Sequence, residues 1–341
     1  MKIFTAPPSP TAREAVHLIA VLGSGLVGGA VCDALLKANA TLVQQSPTDW
    51  SRHEAVKEAV TLVCDNATPF TRDAASGRVS VVWAAGAAGF HSPMSVHLSE
   101  FEHFKAALSV GERVSGLGAG WKAFFFHVSS AGGLFEGQRN VGPWSEPAPE
   151  RDYGRFKLLQ EKALEATSGF EASVVYRPST VYGYSPNGRI GLVSALLSNG
   201  IRHRVSYLSG SATTLRDYVF NRDVGRFIAA EILSPSLASG HAKRFLVSGK
   251  PSSIQEVRNI AEELLRSKLY VNYALGPQNA SHNTYHSSAI ARGFPVTSLR
   301  EGMQSTFQDF LLLNLGKLEK TRQAKEPRPP AAAANPKSIR I

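Results

Sequence analysis

The sequence predicts an α/β protein built on a parallel sheet. Three observations predict it. Short apolar runs have the length of buried strands, glycine or small-residue segments follow those runs directly, and helical stretches lie between them. At 341 residues the chain can bury a large core, as one large domain or two closely joined ones. Its 43% hydrophobic and 19% charged residues are ordinary for a globular protein. No stretch approaches the roughly 18 uninterrupted apolar residues of a spanning helix, so no membrane partner is expected.

Residues 1–16 precede the first clear element and are read as a disordered N-terminus. His17–Leu22 is an apolar run consistent with a buried strand. Gly23-Ser24-Gly25-Leu26-Val27-Gly28 follows at once, and Ala30–Ala38 reads as a helix with Ala30, Val31, Ala34, Leu35 and Ala38 on one side. Strand before and helix after is the context a GxGxxG loop requires. Gly23 permits the tight turn, Gly25 lets the backbone approach a pyrophosphate, and Gly28 lets helix and strand pack closely. The helix N-terminus offers N–H groups and positive dipole to the phosphates. The apolar stretch Leu18–Cys32 could pass for a secretory segment, but strand, turn and helix account better for the glycines inside it.

Thr41–Gln45 is the next strand. An acidic residue at its end would hold the adenosine ribose hydroxyls. Here the end is Gln44-Gln45-Ser46, with Gln45 taken as the cofactor-binding position, Asp49 later and Arg52 available for a 2′-phosphate, so NAD and NADP both remain open. Asp65 and Asn66 read as surface polar residues. Arg78–Gly86 is a further strand ending in Ala84-Ala85-Gly86, small residues that leave room for a ligand in the crevice where open α/β sheets bind one. A helix from about Glu100 follows. Lys122–Val128 then forms another buried strand, running into Ser129-Ser130.

Tyr153-Gly-Arg-Phe-Lys157 places a phenol and an ammonium four residues apart at the start of a helical run. Residues at i and i+4 share a helix face. A Lys beside a Tyr favours the phenolate, whose pKa starts near ~10. Such a Tyr can exchange a proton with a substrate oxygen at neutral pH.

The net charge of +10 invites a nucleic-acid reading. From Lys317 to Ile341, however, seven Lys/Arg face two Glu, so half of the excess lies in a Pro/Ala-rich end. Residues 316–341 read as a basic disordered tail, and no nucleic-acid partner is expected. The two cysteines, Cys32 and Cys64, form no CxxC and have no His at ligand spacing. That points to a reducing, cytoplasmic compartment and to no metal site.

In this order the motifs resemble those of the extended short-chain dehydrogenase/reductases of the NAD-dependent epimerase/dehydratase family. The set comprises the glycine turn, a strand ending Ala-Ala-Gly, a strand ending His-Val-Ser-Ser, and Tyr-x-x-x-Lys. Arg177-Pro178-Ser-Thr-Val-Tyr-Gly183 is similar to the family's Arg-Pro-x-x-Val-Tyr-Gly segment. Arg216-Asp217-Tyr218-Val219 is similar to its Arg-Asp-Phe-Val segment, and Thr297–Gly302 to the start of its final helix. The likeness covers roughly residues 17–315. It implies a Rossmann-type parallel sheet with helices on both faces and a smaller C-terminal substrate-binding lobe. The implied division is 17–178 for the dinucleotide-binding domain and 179–315 mainly for the lobe.

The resemblance also implies roles. Tyr153 would be the acid/base, and Lys157 would tune it and hold the nicotinamide ribose. Ser130 or Ser129 would hydrogen-bond the substrate oxygen, with the count from the strand favouring Ser130. Arg177 and Pro178 would border the cofactor, and Arg216 would meet the diphosphate of a nucleotide-sugar, since a guanidinium suits a diphosphate. A homodimer is implied by analogy. The chain departs from the family in its glycine spacing, its missing ribose acid, and the segment after the serines. It also lacks an evident Asn in the helix after Ala-Ala-Gly, where His97 and Ser99 lie nearby. The leading expectation is an NAD(P)-dependent epimerase, dehydratase or reductase of a nucleotide-sugar. The alternatives are a reductase of a non-sugar carbonyl using the same pair, and a non-catalytic dinucleotide sensor.

Overall fold

The computed structural model describes residues 1–6, 16–52, 54–71, 76–86, 88–186, 190–235, 237–274 and 281–325. The chain runs through β1 (Lys2–Thr5), β2 (Val16–Leu22), α1 (Leu26–Lys37), β3 (Thr41–Gln45), α2 (Ala55–Ala67), β4 (Gly77–Trp83), α3 (Met94–Leu108) and α4 (Val110–Ser115). It continues with β5 (Trp121–Val128), α5 (Ala131–Leu134), α6 (Asp152–Glu165), β6 (Ala172–Pro178), β7 (Thr180–Tyr182), α7 (Leu192–Ile201), β8 (Ser206–Ser209) and β9 (Leu215–Phe220). The last elements are α8 (Asn221–Leu233), β10 (Gly240–Leu246), β11 (Pro251–Ser253), α9 (Ile254–Leu265), β12 (Val271–Ala274) and α10 (Leu299–Lys325).

The main sheet has seven strands among the described residues, in the order β10-β6-β5-β4-β2-β1-β3. From β10 to β2 every pairing is parallel. Side chains on these strands alternate between two apolar layers, as strand geometry demands. Leu18, Ala20 and Leu22 join Val56, Val60, Phe104 and Val114 from α2, α3 and α4 on one face. Ile19 and Val21 join Val31 and Leu35 of α1 and Val224, Ile228 and Ile232 of α8 on the other. Helices therefore cover both faces, which is why the strands are mostly apolar. A separate apolar cluster gathers Val193, Leu196 and Leu197 of α7, Val257 and Ile260 of α9, Tyr218 and Phe220 of β9, and Met303.

Register positions the functional crevice. Leu22 pairs with Trp83, Trp83 with His127, Val128 with Tyr176, and Pro178 with Leu246. The carboxyl ends of β2, β4, β5 and β6 thus lie in one row. The segments that follow them, beginning at Gly23, Ala84, Ser129 and Ser179, open onto the same edge. The chain leaves β2 toward β3 and returns to β4 on the opposite side, so that edge holds the topological switch point where such sheets bind ligands.

Two expectations at the chain ends are corrected. Residues 1–6 are ordered: β1 inserts antiparallel between β2 and β3, with Ile3 1% and Phe4 0% exposed. Phe4 packs with Ile19 and Val31, and Ile3 joins the opposite layer, so burial on both sides holds a strand of only four residues. Residues 7–15 lie outside the described residues. At the other end, α10 continues to Lys325, so residues 316–325 of the expected tail are helical, while 326–341 lie outside the described residues.

Candidate active site

The glycine turn is built as its sequence demands. Gly23 adopts φ +98°, a backbone region L side chains rarely enter. A Cβ on Gly28 would land on the Gly23 carbonyl oxygen, whereas one on Gly25 would meet nothing within 4 Å. Gly25 is the N-cap of α1 and supplies no side-chain cap, and the first turn carries no acidic residue. The leading amides of α1 therefore face an open cradle, the arrangement that receives an anion.

Two adjoining cavities follow from this turn. One, of about 650 Å³, is lined by Gly23, Ser24, Gly25, Trp50, Trp83, Glu100 and His103. The other, of about 460 Å³, is lined by Gly25, Leu26, Val27, Ser129, Ser130, Tyr153, Lys157, Pro178 and Arg216. Ala84, Ala85 and Gly86 line both, so the two form one trough over the strand ends. Residues from distant parts of the sequence thus converge on one cleft.

Arg151 is the N-cap of α6 in extended conformation, Tyr153 falls in the first turn, and Lys157 sits one turn further on. A Cβ on Gly154 would collide with the Gly133 carbonyl oxygen, so its absence lets the Ser130 segment lie against this helix. Tyr153 packs edge-on to Phe90 at 4.9 Å, and the Arg151 guanidinium lies 4.2 Å from the Phe90 centroid. Lys157 Nζ is 5.9 Å from the Tyr153 ring centroid. It donates to Glu100 Oε1 at 3.0 Å and to Gln160 Oε1 at 3.0 Å. Burial works to strip Lys157 of its proton, but the charges of Glu100 and Tyr153 outweigh it and hold the ammonium above its ordinary value. Burial likewise opposes the charge on Glu100, yet Lys157 and the Ala88 amide bring its carboxyl below the usual range.

The adjacent serines differ in their bonding. Ser129 Oγ donates to Glu161 Oε1 at 2.6 Å. Ser130 Oγ accepts from the Gly133 amide at 3.1 Å as N-cap of α5.

Arg216 projects from β9 into the far end of the cleft, where its guanidinium donates to the carbonyls of Leu215 and Ser281. Glu136 and Arg151, joined as an ion pair, line the same end.

Two expected cofactor residues are not in the trough. Arg177 donates from Nε and Nη2 to the two carboxylate oxygens of Glu161, at 3.1 and 2.6 Å, and its guanidinium lies over the Phe135 and Phe245 rings. The strand alternation that directs it there turns it away from the cleft, leaving Pro178 as the lining residue. Gln45 is exposed at the end of β3 and lines neither cavity. The intervening β1 moves β3 outward by one strand spacing, about 4.8 Å, so the end of β3 no longer adjoins the glycine turn. Trp50 and Ser51 line that part of the trough instead.

Glu100, Phe90, Glu136, Arg151 and Trp50 are cleft residues that sequence reasoning did not select. The expected helix began near Glu100. It begins at Met94, which places Glu100 mid-helix. Gln160, which bonds both Lys157 and Glu100, carried a readable signal, since i+3 from Lys157 puts it on the same helix face. Among the described residues no group of three or more His, Cys, Asp or Glu could hold a metal ion, and no helix is long and apolar enough to cross a membrane.

Comparison with known proteins follows the same lines. The NAD dependent epimerase/dehydratase family model matches residues 19–241. Among curated protein sequences none matches the chain. Among solved structures, MoeE5 in complex with UDP-glucose and NAD superposes with a TM-score of 0.68 at 19% identity, over 87% of this chain and 99% of that one. The Thermus thermophilus UDP-glucose 4-epimerase with NAD gives 0.65 at 20% identity, over 86% and 98%. The Bacillus cereus UDP-glucuronic acid 4-epimerase in complex with UDP-glucuronic acid and NAD gives 0.65 at 18% identity, over 86% and 99%. At these identities the likeness is one of fold.

Proposed function

The chain belongs to the NAD-dependent epimerase/dehydratase family, and from that premise we propose that it acts on a nucleotide-sugar by Tyr153-assisted hydride transfer at a carbinol carbon. The observation that carries the reading is the convergence of Tyr153, Lys157 and Ser130 on one cleft, with Arg216 at its far end. Similar folds have been solved with UDP-glucose and with UDP-glucuronic acid.

The residues present fit a dinucleotide. The open cradle over Gly25 and the uncapped start of α1 suit a pyrophosphate, and Ala84–Gly86 keep the floor of the trough low. Gly23, Ser24, Gly25, Leu26 and Val27 would hold the phosphates, and Lys157 a ribose hydroxyl. When bound, the nicotinamide supplies the acceptor and donor of hydride.

The protein's own part is proton transfer and positioning. Ser130 keeps its O–H free to donate to the substrate oxygen, because its lone pair serves the Gly133 amide. Tyr153 Oη takes the hydroxyl proton as the carbinol is oxidised, and can return one when the carbonyl is reduced. The Lys157 ammonium favours the phenolate during that exchange. Arg216 pairs with the diphosphate, and the Glu136–Arg151 pair beside it offers polar contacts for sugar hydroxyls. Phe90, itself covered by the Arg151 guanidinium, walls Tyr153 from one side. A homodimer, expected by analogy, is supported by the exposed Met94 and Leu98 on α3 and Leu159 on the neighbouring α6. Light scattering would test it.

The test of function is a panel of UDP-, GDP- and dTDP-sugars with NAD+ and NADP+, followed by NMR for isomers, keto sugars or dehydrated products. Turnover that falls about 10²–10⁴-fold in Tyr153→Phe supports the reading, together with weaker nucleotide-sugar binding in Arg216→Ala. Turnover confined to non-sugar carbonyls would replace it with the reductase alternative.

A further inference from the structure

We infer that Glu100 is a positioning residue for this chemistry: its buried carboxylate ties Lys157 Nζ to the Ala88 amide, leaves the ammonium one N–H for the cleft, and tempers the positive charge that Tyr153 meets. The inference rests on the reading of Tyr153 as the acid/base. Glu100 Oε1 accepts from Lys157 Nζ at 3.0 Å and from Gln160 Nε2 at 3.1 Å, while Oε2 accepts from the Ala88 amide at 3.0 Å. Glu100 and Lys157 are 8% and 6% exposed, so water does not screen the pair. One carboxylate thus joins α3, the catalytic helix α6 and the segment of small residues after β4.

The donor count gives the arrangement its consequence. An ammonium has three N–H groups. Glu100 and Gln160 engage two of them, so one remains to reach a ribose hydroxyl or the phenolate. Tethered on two sides, Lys157 presents that last donor in a defined direction rather than sweeping the cleft.

The charge count gives a second consequence. Tyr153 and Glu161 on α6, Glu100 on α3 and His127 on β5 are the titratable groups that act on Lys157. His127 is fully buried and held neutral, well below its ordinary range, by that burial and by the Lys157 charge. Glu161 is paired with Arg177, and the Arg151 beside Tyr153 with Glu136. Glu100 is therefore the anion matched to the Lys157 cation. The phenol meets a near-neutral pair rather than an isolated ammonium.

The test is the Tyr153 titration in the protein alone, read as tyrosinate absorbance near 295 nm after subtracting the matching Tyr153→Phe background. Glu100→Gln removes the counter-charge at constant size and should lower the midpoint by about one pH unit, as a charge several Å away does in a partly buried site. Glu100→Asp keeps the charge and should return the midpoint to within about half a unit of the parent. Far-UV circular dichroism checks folding, and Glu100→Asn carries the same test if the Gln variant fails it. A midpoint unchanged or raised in the amide variants overturns the inference. Because no substrate is used, failure of every nucleotide-sugar to turn over would sink the proposed substrate class and leave this shift standing.

Discussion

Ser129 donates its hydroxyl to Glu161 Oε1 at 2.6 Å, on the carboxylate that also binds the guanidinium of Arg177. That bond distinguishes two hydroxyls between which the sequence favoured Ser130 by its count from the strand alone. Both serines line the cleft, but Ser129 Oγ donates to a buried carboxylate, while Ser130 Oγ accepts from the Gly133 amide.

Ser130→Ala should therefore lower kcat by about 10²–10³-fold, the usual loss when one donor to a reacting oxygen is removed. It should also cost about 1 kcal/mol of stability through the lost cap of α5. Ser129→Ala should leave kcat within a few-fold and act on stability instead. Steady-state kinetics beside urea unfolding separates the two. Equal kinetic losses in both variants would refute the division of roles.

Arg177→Ala should be a stability variant. It strands the buried Glu161 carboxylate, and breaking such a pair from one side costs about 3–5 kcal/mol. Cofactor affinity of the folded fraction should stay within a few-fold, measured by tryptophan fluorescence on binding NAD+. A selective loss of affinity without loss of stability would return Arg177 to the cofactor site.

Gly25→Ala and Gly28→Ala should fail differently. The methyl at position 25 has open space and should leave unfolding nearly unchanged, while weakening cofactor binding by about tenfold or more through obstruction of the phosphate approach. The methyl at 28 meets the Gly23 carbonyl and should destabilise the fold by about 1–3 kcal/mol or more. Thermal melts with and without NAD+ distinguish the patterns. A Gly25→Ala variant that binds NAD+ as the parent does would remove the cradle from the pyrophosphate.

His17 should contribute to acid sensitivity. Burial, helped by the charge of neighbouring Arg78, lowers its pKa to about 3, and its Nε2 lies 2.9 Å from Ser80 Oγ. Above pH ~6.5 the residue is neutral in folded and unfolded chains alike. As pH falls toward 3 only the unfolded chain takes up the proton, so stability is lost over that window. Between pH ~7 and ~5 the loss amounts to roughly 1–2 kcal/mol. Urea unfolding at the two pH values should show a smaller loss in His17→Gln. An equal loss would assign the acid sensitivity to other groups.

The legibility of the chain was uneven. The strands from Val16, Gly77 and Trp121 are buried on both faces, so largely apolar runs revealed them, whereas the strand from Ala172 entered only through a motif resemblance. β1 has four residues and no pattern of its own, and the protein's sheet rather than its local sequence makes it a strand. Arg177 lies off the trough that its motif suggested, because a motif records adjacency along the chain, whereas alternation along β6 decides which face a side chain takes. The partnership of Glu100 with Lys157 spans 57 positions and leaves no local trace.

By itself, then, the sequence determined the α/β class, the strand–glycine–helix cradle and the Tyr153–Lys157 pair, because each depends on residues within one or two helical turns of one another. Tertiary structure alone decided the insertion of β1, the displacement of Gln45, the different bonding of Ser129 and Ser130, and the counter-charge at Lys157. Those depend on which surfaces meet after burial, and the desolvation that makes a paired charge matter exists only once the chain has folded around it.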